Sequence, residues 1–319
     1  MELKKILLIG GSGFVGGWVA SRLSERGIRV IVPTRRRERS KPLIMLPTVY
    51  TLQADVHDEK VLASLMDGVD AVINLVGILH DNDSAKPYGK RLAAAHVELP
   101  KKIIAAMKQS GVRRLVHLSA LKAAVDAPAG YLRSKADGER VVLAAANELD
   151  VTVLRPSVIF GPDDAFLNTF ASLLKLLPVL PLAGWQARMQ PVDIGDVAQV
   201  VSSCLTDSAT FGQTYELCGP TTYTLRELVE YVGKLTGRRC CVVNLPGALA
   251  YLQASILGLL PSPPMSRDNL RMMQVDSVTD GRCNYPGWQP KALEAVAPSY
   301  LSPVKLKLRL DGYRCRAGR

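Results

Sequence analysis

Lys4-Lys5-Ile6-Leu7-Leu8-Ile9-Gly10-Gly11-Ser12-Gly13-Phe14-Val15-Gly16 decides how the rest of the chain reads. The apolar run from Ile6 to Ile9 predicts a buried strand, and the amphipathic pattern after the glycines predicts a helix. Between them, Gly10, Gly13 and Gly16 permit a tight turn, a close backbone approach to a bound group, and close seating of helix on sheet. The bare amides of the helix's first turn, at Phe14 and Val15, favour the phosphates of a dinucleotide. Gly11 lets the segment fit the Gly-x-Gly-x-x-Gly spacing as well. A glycine triplet alone is a weak signal, but between a strand and a helix it is a strong one.

The stretch from Lys4 to Ala20 could pass for a secretory signal, with two lysines, an apolar run and small residues near its end. Four glycines and a direct run into Ser21-Arg22-Leu23-Ser24-Glu25-Arg26 argue for strand, turn and helix instead, so neither a signal nor a transit peptide is expected. At 319 residues, with 48% hydrophobic and 22% charged content, the composition is that of a globular protein of one large domain or two fused ones. Of six cysteines only Cys240 and Cys241 are adjacent, which suits a reducing compartment and neither a zinc site nor a disulfide frame. His57, His80, His96 and His117 show no metal-ligand spacing, so no metal is expected. His117 alternates with a strand and reads as a core residue, whereas His96 could reach a cleft. No segment approaches the roughly twenty apolar residues of a membrane span. The expected location is the cytoplasm, with peripheral attachment to the inner membrane as the alternative.

The formal charge of +11 invites a nucleic-acid reading, yet the densest cluster is Arg35-Arg36-Arg37-Glu38-Arg39-Ser40-Lys41, directly after a predicted second strand. A phosphate on a small cofactor explains it more economically, and no nucleic-acid partner is expected. The remaining excess is spread out or lies in the tail from Lys305 to Arg319, which reads as a solvated end or as a surface for an acidic membrane or partner.

Further strands are predicted at Arg29 to Pro33, Thr51 to Ala54, Ala71 to Val76, Leu115 to Leu118 and Thr152 to Leu154, with helices near 14–26, 58–67, 90–110 and 131–149. Strands spaced this way need crossover helices, which predicts an α/β fold with a doubly wound parallel sheet of the Rossmann kind. After Arg155-Pro156 the prolines at 162, 178, 181 and 191 mark shorter elements and a smaller C-terminal substrate lobe. The expected division is a cofactor domain over 1–162 with 188–206 returning to it, a smaller lobe over 163–300, and a basic tail over 301–319. Ligand should bind in a cleft above the carboxyl ends of the strands.

The candidate site residues all map to those strand ends. Where an NAD-preferring protein usually places Asp or Glu after the second strand, this chain has Thr34 and Arg35. A guanidinium there can fork onto a ribose 2′-phosphate, which favours NADP(H), with NAD(H) as the alternative. Asp55, followed by Val56, either meets the adenine edge or caps the next helix. Val76 and the small Gly77 leave room beneath a cofactor. The fifth strand delivers Ser119, and Tyr131 and Lys135 follow within Gly130-Tyr131-Leu132-Arg133-Ser134-Lys135-Ala136. At i and i+4 they share a helix face, so the ammonium should favour phenolate and lower the tyrosine pKa toward a usable acid or base. Ser119 would hydrogen-bond the substrate oxygen.

The glycine turn, the Ser119, Tyr131 and Lys135 set, and Leu154-Arg155-Pro156-Ser157-Val158-Ile159-Phe160-Gly161-Pro162 together resemble the extended short-chain dehydrogenase/reductases, including the NAD(P)-dependent epimerases and dehydratases. Tyr131 to Glu139, Pro156 to Asn168, and Gln190-Pro191-Val192-Asp193 most resemble one branch, that of the Rossmann-type accessory subunit of respiratory complex I and its bacterial relatives. The resemblance implies that Gly10, Gly13 and Gly16 hold the pyrophosphate, Arg35 the 2′-phosphate and Asp55 the adenine. It makes Tyr131 the acid/base, with Lys135 tuning it and binding the nicotinamide ribose, and Ser119 orienting the substrate. Pro156, Ser157 and Val158 would lie along the carboxamide. It also implies two functions: an oxidoreductase or epimerase-like enzyme on a carbonyl or alcohol, or an NADP(H)-stabilised accessory protein of a respiratory assembly. No set of sugar-nucleotide contacts is recognisable, which leaves the substrate open. Leu249 to Leu260 reads as a lid over a lipid-like substrate, a helix on a membrane or partner, or a packed helix of the smaller lobe.

Overall fold

The computed structural model describes residues 3–81, 86–238, 241–257, 265–281 and 284–303. The basic tail from Lys305 and the end of the apolar segment at 258–260 lie outside the described residues. In chain order, β1 (Lys5–Ile9), α1 (Phe14–Glu25), β2 (Arg29–Thr34), β3 (Val49–Gln53), α2 (Glu59–Leu65), β4 (Ala71–Asn74), α3 (Lys90–Ala93), α4 (Leu99–Ser110), β5 (Arg114–Leu118), α5 (Gly130–Ala144) and β6 (Asp150–Pro156) come first. Then follow β7 (Ile159–Phe160), α6 (Leu167–Leu176), β8 (Val179–Leu182), β9 (Arg188–Met189), β10 (Val192–Asp193), α7 (Ile194–Cys204) and β11 (Gln213–Leu217). The last elements used below are β12 (Tyr223–Thr224), α8 (Leu225–Thr236), β13 (Cys241–Asn244), α9 (Gly247–Leu257) and α10 (Arg267–Met272).

Seven strands pair in the order β3-β2-β1-β4-β5-β6-β11, every pair parallel. The expected doubly wound sheet is therefore present, with β11 as a seventh strand that the apolar pattern does not reveal. On one face of this sheet Leu7, Ile9, Val72, Leu115, Val151 and Val153 pack with Leu62, Leu99, Ile103 and Met107 of the helices, all essentially buried. The alternate residues Ile6, Leu8, Ile73, Val116 and Leu154 are just as buried, and burial on both faces is why these strands read as continuous apolar runs. The predicted helix over 90–110 is continuous but changes register, because Ala94–Glu98 forms a π-helical turn between α3 and α4.

Two compact units result. The first comprises Met1–Pro156, Gly195–Leu217 and Asp280–Gly287, so the segment that rejoins the sheet is 195–217 where the sequence suggests 188–206. The second comprises Ser157–Ile194, Cys218–Thr279 and the residues from Trp288. Its core gathers Phe160, Leu167, Leu174, Leu180 and Met189 with Leu225, Leu228 and Val232 of α8. A capping box sets the start of α8, with Thr224 Oγ1 accepting from the Glu227 amide and Glu227 accepting from the Thr224 amide, and Gly237 in the left-handed region ends it.

Candidate active site

Strand order reverses between β1 and β4, so the chain leaves these two neighbours in opposite directions and opens a crevice at their carboxyl ends. Gly10 sits at that point with φ +85°, and a Cβ there would press on the Leu75 carbonyl carbon and the Val76 nitrogen, each 3.1 Å away. A Cβ on Gly16 would collide with the backbone of Gly10 and Gly11, so only glycine lets α1 approach β1 this closely. α1 begins at Gly13 with no side-chain cap and no acidic residue in its first turn, where Phe14 and Val15 are half-buried. Uncapped amides, a positive dipole end and no competing carboxylate fit an anion.

At the next strand end, Thr34 is buried, its hydroxyl accepting from the Arg36 amide at 3.3 Å and donating to the Arg36 carbonyl at 3.1 Å. This clasp turns the chain outward, leaving Arg35, Arg36, Arg37, Arg39 and Lys41 exposed and, among the described residues, without an ion pair. Asp55 is exposed and accepts from the His57 amide at 3.0 Å. Of its two alternatives, capping falls away: Asp58 caps α2, accepting from Lys60 and Val61, and Val56 is half-buried beside it.

Lys135 ties the loop after β4 to the end of the fifth strand. Its ammonium, almost fully buried, donates to the Val76 carbonyl at 3.2 Å and the Leu118 carbonyl at 3.0 Å, and a Cβ on Gly77 would stand 3.3 Å from Nζ. Burial lowers its pKa to about 8 even though Glu139 pulls the other way. The expected effect on Tyr131 is not what the structure shows. Burial pushes the phenol up to about 12. Ser119 is buried, and its amide donates to Leu154 at 2.7 Å. Its hydroxyl has no hydrogen-bond partner among the described residues.

An unpaired buried hydroxyl costs stability, and removing it relieves that cost. Ser119→Ala is therefore expected to raise unfolding stability by about 1 kcal/mol, read by urea denaturation. A clear loss would mean that the hydroxyl is paired within the fold.

His96 organises this neighbourhood, a role that its lone position on an alanine-rich turn hardly signals. Its Nε2 accepts from the Ile78 amide at 3.1 Å, so the proton sits on Nδ1, which faces Ser134 Oγ at 2.8 Å. Ser134 passes the chain on by donating to the Tyr131 carbonyl at 2.8 Å. The imidazole edge meets the Tyr131 ring at 5.6 Å between centroids, and burial foremost, with Lys135 and His117 adding, lowers its pKa to about 2. The loop after β4 and the tyrosine helix are thereby joined through one neutral side chain. His117, as the sequence suggests, is a core residue: Asn74 donates to its Nδ1 at 3.1 Å, and burial lowers its pKa to about 3.

Gly10, Val76, Gly77, Lys135 and the strand end before Ser119 thus meet, with Tyr131 one helical turn before Lys135. Pro156 closes β6, its carbonyl accepting from the Leu121 amide at 2.9 Å. Ser157 and Val158 belong to the second unit, where the Ser157 hydroxyl donates to the Ser277 carbonyl at 3.1 Å and the Val158 carbonyl accepts from the Val192 amide.

Comparison with known proteins agrees with this geometry. A model of the NAD dependent epimerase/dehydratase family matches residues 6–218. The chain is 30% identical over 282 residues to the mitochondrial NADH dehydrogenase [ubiquinone] 1 alpha subcomplex subunit 9 of Arabidopsis thaliana, covering 85% of this chain and 69% of that one. The rat counterpart, from Rattus norvegicus, is 28% identical over 313 residues, covering 96% and 80%. Among solved structures, the UDP-glucose 4-epimerase of Thermotoga maritima with UDP-glucose superimposes with a TM-score of 0.73 at 17% identity, covering 96% and 99%. That last likeness is one of fold.

Proposed function

The chain belongs to the NAD dependent epimerase/dehydratase family, and from that premise we propose that it holds NADP(H) in the β1/β4 crevice and moves hydride at a carbon bearing oxygen. The observation that carries this reading is the buried, unpartnered hydroxyl of Ser119 beside a strand end that Lys135 grips. A fold with no use for that hydroxyl would hold an alanine there. Gly10, Gly13 and Gly16, with the first-turn amides of Phe14 and Val15, would take the pyrophosphate. Thr34 and Arg35 would take the ribose phosphate, Asp55 and Val56 the adenine, and Val76 and Gly77 would lie beneath the nicotinamide ribose. Pro156, Ser157 and Val158 would border the carboxamide.

Bound there, the nicotinamide would supply or accept the hydride. Ser119 would donate a hydrogen bond to the substrate oxygen, and Tyr131 would give that oxygen a proton on reduction or take one on oxidation. With the phenol near 12, Tyr131 carries its proton at neutral pH. Lys135 would anchor the ribose from the position it already occupies.

Arg35→Asp tests the cofactor choice. Loss of a charge-assisted pair, about 2 kcal/mol, should weaken NADP(H) roughly thirtyfold and leave NAD(H) within a factor of about three, by titration calorimetry. Equal losses for both would refute the assignment of Arg35.

A second reading rests on a different observation, the similarity to the mitochondrial subunit over nearly the whole chain. In it the dinucleotide is a permanent structural ligand and the protein an accessory or assembly factor that contacts a respiratory complex at an inner-membrane surface. Native mass spectrometry of the purified chain, followed by cofactor-exchange kinetics and a panel of carbonyl and alcohol substrates, separates the two. A dinucleotide that exchanges and turns over supports the enzyme, whereas one that neither leaves nor reacts supports the scaffold.

A further inference from the structure

α9 presents its large side chains to solvent and its small ones to the protein. Ala250 and Ala254, one turn apart, are buried against Ala183 and Leu270. Leu249, Leu252 and Ile256 are 52%, 57% and 59% exposed, and Tyr251 is 40% exposed. An ordinary surface helix has the opposite arrangement, with apolar bulk inward and charge outward. Here there is no charge to turn outward, because from Cys241 to Ser266 the sequence carries no Asp, Glu, Lys or Arg. That uncharged run is bracketed in sequence by Arg238-Arg239 and Arg267. Arg267 is exposed on α10, its Nε donating to Ser255 of α9 at 2.8 Å, which places a cation directly beside the apolar face. Among the described residues of the second unit, the other exposed large hydrophobics are Leu176, Leu177, Val179 and Val243, on or beside the β8 and β13 pair that leads into α9.

We propose that α9 is a docking face for an anionic lipid surface, with Leu249, Leu252 and Ile256 entering the headgroup layer and Arg267 meeting lipid phosphate. Among its described residues, the large exposed side chains of the helix are only Leu249, Tyr251, Leu252 and Ile256, too few to build the roughly 800 Å² that each partner of a stable protein interface buries, which argues against a second copy. The face also carries no charged side chain to select a protein surface. A small uncharged patch edged by arginine, on a chain of net charge +11, matches an acidic bilayer on both counts. No helix among the described residues is long and apolar enough to cross a membrane. The inference stands apart from whatever the glycine turn binds.

Co-sedimentation of the full chain with phosphatidylcholine vesicles, with and without phosphatidylglycerol, tests it. The chain should bind the anionic vesicles and release at high salt, and Leu252→Glu with Ile256→Glu should weaken that binding at least about tenfold. Both positions are exposed, so the double variant should keep its thermal unfolding and its NADP(H) affinity, which separates loss of docking from loss of fold. Met45→Glu, at an exposed apolar position of the other unit, serves as control and should bind as the unaltered chain does. Equal binding to neutral vesicles, no binding to either, or undiminished binding by the double variant would overturn the proposal. So would a dimer in solution that the double variant abolishes.

Discussion

Below pH 6.5 the folded protein is expected to lose stability on a slope approaching two protons. His96 and His117 are both buried as neutral imidazoles, with pKa values lowered from 6.5 to about 2 and about 3. Because the folded values lie beneath the unfolded one, the unfolded chain binds protons first as pH falls. The stability that these groups secure is fully present above 6.5 and is lost on the way down. Two such groups correspond to about 3 kcal/mol per pH unit once the pH is roughly a unit below 6.5. Against the 5–15 kcal/mol typical of a domain, that is enough to unfold the protein near about pH 4. Asp164 opposes the trend lower down, since burial raises its carboxyl above the ordinary range, but it is one group against two. Urea unfolding at about pH 7.5, 5.5 and 4.5 gives the slope directly. His96→Gln should roughly halve it, and a slope below one proton in the unaltered chain would show that a histidine charges inside the fold.

The six strands and most helices nearest the site were legible because each carries a local signal. β1 to β6 are apolar runs, Gly10 to Gly16 mark the first turn, and Tyr131 with Lys135 falls at helical spacing after β5. What the sequence hides depends on contacts distant along the chain. Gln213–Leu217 runs from exposed to buried with little apolar character, and it becomes a strand only by pairing with β6. The fall in the Tyr131 pKa expected from Lys135 fails for the same reason, since burial, which contacts distant along the chain create, raises the phenol instead. Nor does any local pattern show that His96 accepts from Ile78 and faces Ser134, or that Asp58 rather than Asp55 caps α2.

Gly138→Ala is expected to destabilise the protein by about 3 kcal/mol or more and to weaken dinucleotide binding at least about tenfold. Two effects compete at this position. Alanine in a helix interior is favoured over glycine by about 1 kcal/mol, and α5 is otherwise regular. A Cβ on Gly138, however, would overlap the His96 carbonyl oxygen deeply, and that oxygen is backbone in the π-helical turn and cannot rotate aside. Either α5 moves away from the turn or the turn unwinds. Both outcomes pull the His96 ring from Ser134 and Ile78, and with it the helix that carries Tyr131 and Lys135. The clash therefore outweighs the propensity gain. Gly17→Ala gives the opposite sign under the same chemistry: it lies within α1, and nothing stands within 4 Å of its Cβ position. That substitution should stabilise by about 0.5–1 kcal/mol and leave binding unchanged. Paired denaturation and calorimetry on the two variants isolate steric exclusion from helix propensity. If Gly138→Ala instead followed Gly17→Ala, α5 would not be clamped to the turn that bears His96.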